Sequence, residues 1–175
     1  MSLTISSPAF TEGATVPRKY TRDGENQVPP LTWTGAPENT RSFALVVEDP
    51  DAPSGTFRHF AVYNIPANQD HLPESMDGGT DQALRYGRND FGNAGYDGPA
   101  PPKGHGVHHY HFRLTALDVP TLAIPADLDA EAVWREARNT PSRKPTSSAP
   151  TSADICRALS GAWLIVQFIR PKSAT

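Results

Sequence analysis

A chain of 175 residues is long enough to bury a real core, and we read residues 1–175 as one domain. Its formal net charge of −3 carries no basic stripe of the kind that DNA or RNA requires, so nucleic acid is not an expected partner. Proline at 18 positions, about twice its usual share, points to a fold rich in strands and loops.

No apolar run approaches the ~18–20 residues of a membrane span, and Met1–Phe10 lacks the basic start and apolar run of a signal peptide. A cytoplasmic protein with no integral membrane segment is expected, provided this chain is the full product. The lone Cys156 has no partner for an intramolecular disulfide and no histidine close by in sequence, so it reads as a packed thiol.

In chain order, residues 2–10 alternate weakly and predict a first strand ending near Pro8, with Phe10 as a core anchor. A block dense in turn residues follows. Asp23–Gly24 predicts a tight turn, and Pro29–Pro30 forces extended backbone from which Leu31 and Trp33 reach the core at period two. Arg41–Val47 is a short, continuously apolar run, the pattern of a buried strand. It delivers the chain to Glu48–Pro66, the stretch around which the rest is organised. There Pro50 and Pro53 stiffen a turn bearing Asp49 and Asp51, and an interior strand over Thr56–Ile65 carries His59 close to it. Carboxylates near a half-buried histidine make a site candidate.

Residues 66–106 show little apolar periodicity, and a connection that long inside a compact domain carries function or hides short elements. Gly92, Gly95 and Gly98 are expected to adopt conformations closed to other residues, with Pro99, Pro101 and Pro102 locking the path. Backbone N–H groups of such a loop can point at an anion. Val107–Asp118 is the clearest strand. His108, Tyr110, Phe112, Leu114 and Ala116 share one face, while His109, His111, Arg113 and Thr115 share the other, solvated one. That alternation breaks up the apparent metal cluster of His105, His108, His109 and His111, so neither a metal nor a cofactor is expected.

Asp127–Arg138 reads as a surface helix with acidic residues early and basic ones late. Residues 139–152 read as an exposed loop, with Arg138, Arg143 and Lys144 solvated. Ala153–Leu159 predicts a short helix broken by Gly161, and Trp163–Ile169 a closing core strand ended by Pro171.

Two blocks, DPDAP at 49–53 followed by RHFAVYNIP at 58–66, and GPAPPKGHGVHHY at 98–110, resemble the phosphatidylethanolamine-binding protein family, also called Raf kinase inhibitor proteins. The likeness is to its bacterial and archaeal branch and extends to residues 8–37 and to NDFG at 89–92. It implies a β-sandwich of antiparallel sheets, Greek-key-like, with a few peripheral short helices and an anion pocket at its edge. It places Asp49, His59, Gly98, His108 and Tyr110 around that pocket, with Pro99 shaping the wall and no catalytic residue. Asp51, Pro53 and His109 fall in supporting positions. His109 stands where the family usually has arginine, which removes a bidentate donor from the brace to the acidic turn. Phe60 replaces a common tryptophan and Ala100 a common cysteine.

A pocket of this kind suits a phosphate ester such as a phosphoethanolamine-like headgroup. The histidines and Tyr110 donate hydrogen bonds, backbone amides near Gly98 complete the cradle, and Asp49 accepts from a ligand ammonium or hydroxyl. A carboxylate beside a histidine favours its charged form, so binding is expected to tighten as pH falls toward ~6.5. The resemblance further implies regulation of a partner protein such as a kinase. The alternative is a hydrolase or lyase using Asp49 with His59 or His108 as an acid–base pair. Against it, Ser54–Gly55 is not a nucleophile elbow and Cys156 is remote in sequence. The final strand, rich in Trp, Leu, Ile and Phe, would suit a homodimer interface as well as a core.

Overall fold

The computed structural model describes residues 2–76, 84–139 and 158–169. The strands in chain order are β1 (Thr4–Ser6), β2 (Leu31–Thr34), β3 (Ser42–Asp49), β4 (Phe57–Pro66), β5 (His71–Leu72), β6 (Arg85–Tyr86), β7 (Val107–Leu117) and β8 (Ala158–Ile169). A 3₁₀ turn at Arg18–Tyr20 and one helix, α1 (Ala130–Arg138), accompany them. The strands form two antiparallel sheets, β1-β2-β5 and β6-β4-β3-β7-β8. The expected β-rich architecture is therefore present. No helix among the described residues is long and apolar enough to cross a membrane.

β3 lies at the middle of the large sheet, which is why it reads as an unbroken apolar run and is buried at every position. Its alternate residues serve two cores. Phe43, Leu45 and Val47 join Phe60, Val62, Phe112 and Leu114 beneath Ile5, Leu31 and Trp33 of the small sheet. Trp33 meets Phe43 edge-on at 5.4 Å. Ala44 and Val46 point the other way, with Ala61, Tyr63 and Leu117, and are covered by α1.

This second core corrects the surface-helix expectation for Asp127–Arg138. Ala130, Ala132, Val133 and Ala137 are buried, because alanines allow the helix to lie close against the sheet without a conspicuous stripe of large side chains. The helix starts later than expected, at Ala130, where the Asp129 side chain accepts a hydrogen bond from the Ala132 N–H at 2.7 Å.

Other boundaries move as well. The first strand is limited to Thr4–Ser6, since Ser7 turns the chain by donating to the Pro30 carbonyl and accepting from the Ala9 N–H. The long connection after Pro66 hides β5 and β6, each two residues long. Ala158 and Leu159 begin β8 rather than ending a helix, and Gly161 lies within that strand. Residues 153–157, including Cys156, and the 140–152 loop lie outside the described residues. Ala162, Leu164 and Val166 of β8 are buried, but Trp163 faces outward at 55% exposure, so the strand is core on one face only. The Arg113 guanidinium covers that indole at 4.1 Å.

Candidate functional site

Antiparallel pairing brings the end of β3 beside the starts of β4 and β7, so Asp49, His59, His108 and Tyr110 meet at one end of the large sheet. They line one cavity of about 190 Å³ together with Ser54. Its other walls are apolar: Ala52, Pro53, Phe57, Phe91, Ala100, Pro101 and Pro102. Pro53, expected only as support, is thus part of the lining.

The acidic turn is clamped from both faces of β7. On the inner face, His108 Nδ1 lies 2.7 Å from Asp49 Oδ2, with both side chains almost wholly buried. Since a carboxylate at this position accepts, His108 carries a proton on Nδ1. Asp49 Oδ1 accepts from the Asp51 N–H at 2.9 Å, which shapes the turn locally. On the outer face, Asp51 Oδ2 accepts from the His109 backbone N–H at 2.8 Å and from His109 Nδ1 at 2.7 Å. Burial acts to raise the Asp51 carboxyl, but these bonds outweigh it and hold the group below its ordinary value. The brace that the histidine substitution put in doubt is therefore present, made by one imidazole and one peptide N–H.

His59 is fixed differently. Its Nδ1 lies 2.7 Å from the Asp97 carbonyl and 3.1 Å from the Gly98 carbonyl. Both oxygens can only accept, so Nδ1 is the protonated nitrogen. The Asp97 N–H returns a bond to the His59 carbonyl at 3.0 Å. Burial lowers the pKa of His59, against the partial compensation of these carbonyls and of Asp49. At neutral pH the ring is uncharged and presents the Nε2 lone pair to the cavity.

Sequence reasoning missed the scaffold behind His59. The Asp97 carboxylate is buried and accepts from Asn89 at 2.8 Å and Asn93 at 2.7 Å, with Asn26 and Arg22 at 3.4 and 3.5 Å. Asn89 Oδ1 accepts in turn from the backbone of Phe91 and Asn93, each at 3.0 Å. This side-chain turn is the physical content of the NDFG motif, and it delivers Phe91 to the cavity. The Phe91 ring touches His59 and Phe57, and the Arg22 guanidinium stacks over it at 4.0 Å. An asparagine followed two residues later by an aromatic and a glycine was the available sign.

Gly98 and Pro99, expected at the pocket, do not line it. Gly98 is required for closeness rather than for an unusual φ: a Cβ there would lie 2.2 Å from the Tyr20 carbonyl oxygen. Only Gly92 and Gly95 of the three glycines have positive φ. The backbone cradle is reduced: the Gly98 N–H is spent on Asn26 Oδ1 at 2.8 Å, and Pro99, Pro101 and Pro102 have no N–H, which leaves that of Ala100 beside the Tyr110 hydroxyl. We expect Gly98→Ala to destabilise the fold by about 1–3 kcal/mol, as overpacking against backbone does. Chemical denaturation with an unchanged m-value is the check, and a loss within error would contradict the steric account.

Tyr110 is 0% exposed, and its hydroxyl lies beside the Asp49 carboxylate and the Ala100 backbone without a well-formed hydrogen bond to either. Burial, and then the nearby Asp49 charge, raise its pKa, so it remains a neutral donor. His59 packs edge-on against its ring at 5.2 Å. Among the described residues no group of three or more His, Cys, Asp or Glu is placed to hold a metal ion.

The model of the phosphatidylethanolamine-binding protein family matches residues 6–146. The chain is 43% identical over 122 residues to a UPF0098 protein of Aquifex aeolicus, a match spanning 69% of this chain and 71% of that protein. It is 48% identical over 122 residues to UPF0098 protein PH1269 of Pyrococcus horikoshii, spanning 67% of this chain and 61% of the relative. Among solved structures, Escherichia coli YbcL superposes with a TM-score of 0.78 at 30% identity, covering 97% of this chain and 99% of that one. A Chlamydia trachomatis homologue gives 0.75 at 28%, covering 97% and 98%. On the family match, these relatives and the fold they share, the chain belongs to the phosphatidylethanolamine-binding protein family.

Proposed function

We propose that the cavity is a receptor for a small oxyanion of the phosphate-monoester class, such as a phosphoethanolamine-like headgroup. The observation that carries this reading is the Tyr110 hydroxyl, buried without a well-formed protein hydrogen bond beside two imidazoles that each keep Nε2 for the cavity. A buried polar group left unmatched by protein costs about 1–3 kcal/mol, and a ligand oxygen at that position recovers it. The apolar walls exclude water and accommodate the organic part of an ester. A phosphorylated side chain carries the same group, so the same site would serve to regulate a protein such as a kinase.

A second reading, a hydrolase or lyase, is favoured by the Asp49–His108 pair, whose geometry is that of a carboxylate-oriented base. Ser54 lines the cavity, but its hydroxyl is hydrogen-bonded to neither imidazole, which leaves the pair without an activated nucleophile. Phosphoesters and amides that bind without being consumed support the receptor; measurable turnover supports the enzyme.

Tyr110→Phe gives the direct test. Titration calorimetry with O-phosphoethanolamine should show affinity weakened about tenfold or more, the value of one charge-assisted hydrogen bond. Thermal unfolding without ligand should show stability unchanged or raised by up to about 1 kcal/mol, because an unmade bond has been removed. Unaltered affinity would remove the hydroxyl from the site.

A further inference from the structure

The cavity is poor in donors for an anion. Asp49 places a carboxylate in its polar wall, and His108 has already given its Nδ1 proton to that carboxylate. His59 has given its own to the Asp97 and Gly98 carbonyls. Each ring therefore offers the cavity a lone pair unless it gains a second proton. Burial resists that gain at His59. Ser54 and Tyr110 contribute hydroxyls and Ala100 a backbone N–H, while the Gly98 N–H is already spent.

Fixed positive charge is equally scarce. Among the described residues no lysine or arginine lines the cavity. Arg22 stacks on Phe91 and also reaches Asp97; Lys103 follows Pro102 in the chain without lining the cavity. The His105 ring lies 5.9 Å from that of His108. On the far side of β7, Asp51 and His109 are bonded to one another at 2.7 Å. A dianion in this cavity would meet a carboxylate and two lone pairs with only neutral donors to bind it, an arrangement that favours its expulsion.

Resting on the receptor reading above, we infer that the site binds its oxyanion together with a proton, held between a ligand oxygen and an imidazole Nε2. The ligand class is thus a weak oxyacid that titrates near neutrality, such as a phosphate or phosphonate monoester. A sulfate monoester, the conjugate base of a strong acid, is too weak a base to hold that proton. Whether the shared proton is drawn on oxygen or on nitrogen, one more proton is bound in the complex than in the separate dianion and neutral ring. No covalent bond other than that to the proton forms or breaks.

The test is titration calorimetry of the intact chain with O-phosphoethanolamine at about pH 8, in two buffers of different ionisation enthalpy, with ethanolamine O-sulfate as the comparison probe. The expected result is a buffer-dependent heat equivalent to uptake of about one proton per ligand, and affinity falling toward about tenfold per pH unit above neutrality. The sulfate ester should bind at least about tenfold more weakly than the phosphate ester at that pH. Equal heats in both buffers with binding intact, or equal affinity for the two esters, overturn the proton-linked account and leave the receptor standing. Absence of phosphoester binding at every pH from about 5.5 to 8.5 overturns the receptor, and this inference with it.

Discussion

Replacing His108 by alanine is expected to lower the stability of the fold by about 3–5 kcal/mol and to abolish oxyanion binding. The reason lies in what remains. Asp49 is buried at the end of a central strand, and its Oδ2 has the imidazole as its bonded partner at 2.7 Å. Truncation strands a carboxylate in a low-dielectric site with the Asp51 N–H on its other oxygen and the Tyr110 hydroxyl nearby. Domains commonly hold about 5–15 kcal/mol in all, so the variant should lose a large share of its margin. Urea unfolding of the wild type, His108→Ala, Asp49→Ala and the double variant tests the account. The double variant should cost less than the sum of the singles by about 1 kcal/mol or more, since the second truncation removes the stranded group. Strict additivity would show that the two side chains do not depend on one another.

The second large effect concerns acid. His59 is buried, and its pKa lies below the ordinary imidazole value chiefly because burial opposes the charged ring. An unfolded chain takes the proton at about pH 6.5, while the folded one resists until lower pH. Protons therefore favour unfolding across this interval. The stability that His59 contributes is complete above ~6.5 and is lost as pH falls through the depressed folded value. Melting curves from about pH 7.5 to 5 should show a declining midpoint, and about 1 kcal/mol of loss is readable as roughly 2–4 °C in a chain of this size. His59→Gln should flatten that limb. A midpoint with the same slope in both proteins would assign the acid sensitivity elsewhere. Bound phosphate ester should oppose the decline, because an anion in the cavity favours the protonated ring.

Much of this site was legible because strands write their two faces in alternate letters. His108, Tyr110 and Phe112 could be assigned to one face of β7 from period two alone, and the DPDAP block named the carboxylate that His108 meets. Glycine was less readable. A glycine needed for positive φ, as at Gly92, and one needed to admit a carbonyl at its missing Cβ, as at Gly98, are the same letter. The α1 face was lost for a related reason: alanine buries well but scarcely marks a stripe. Phe91 and Asp97 could not be placed, since what brings them to His59 is a web of asparagine side chains reaching across the chain from residues 26, 89 and 93. The brace at Asp51 was underestimated because half of it comes from a peptide N–H that any residue but proline at position 109 would supply.

The two cavity imidazoles are oriented by acceptors of different kinds, and this gives them unequal robustness to genetic change. His108 depends on a carboxylate that a single codon can erase. His59 leans on the carbonyls of residues 97 and 98, which every amino acid possesses, so its tautomer survives any replacement that spares the loop's path. Over evolutionary drift, position 98 should be constrained by shape, position 49 by chemistry.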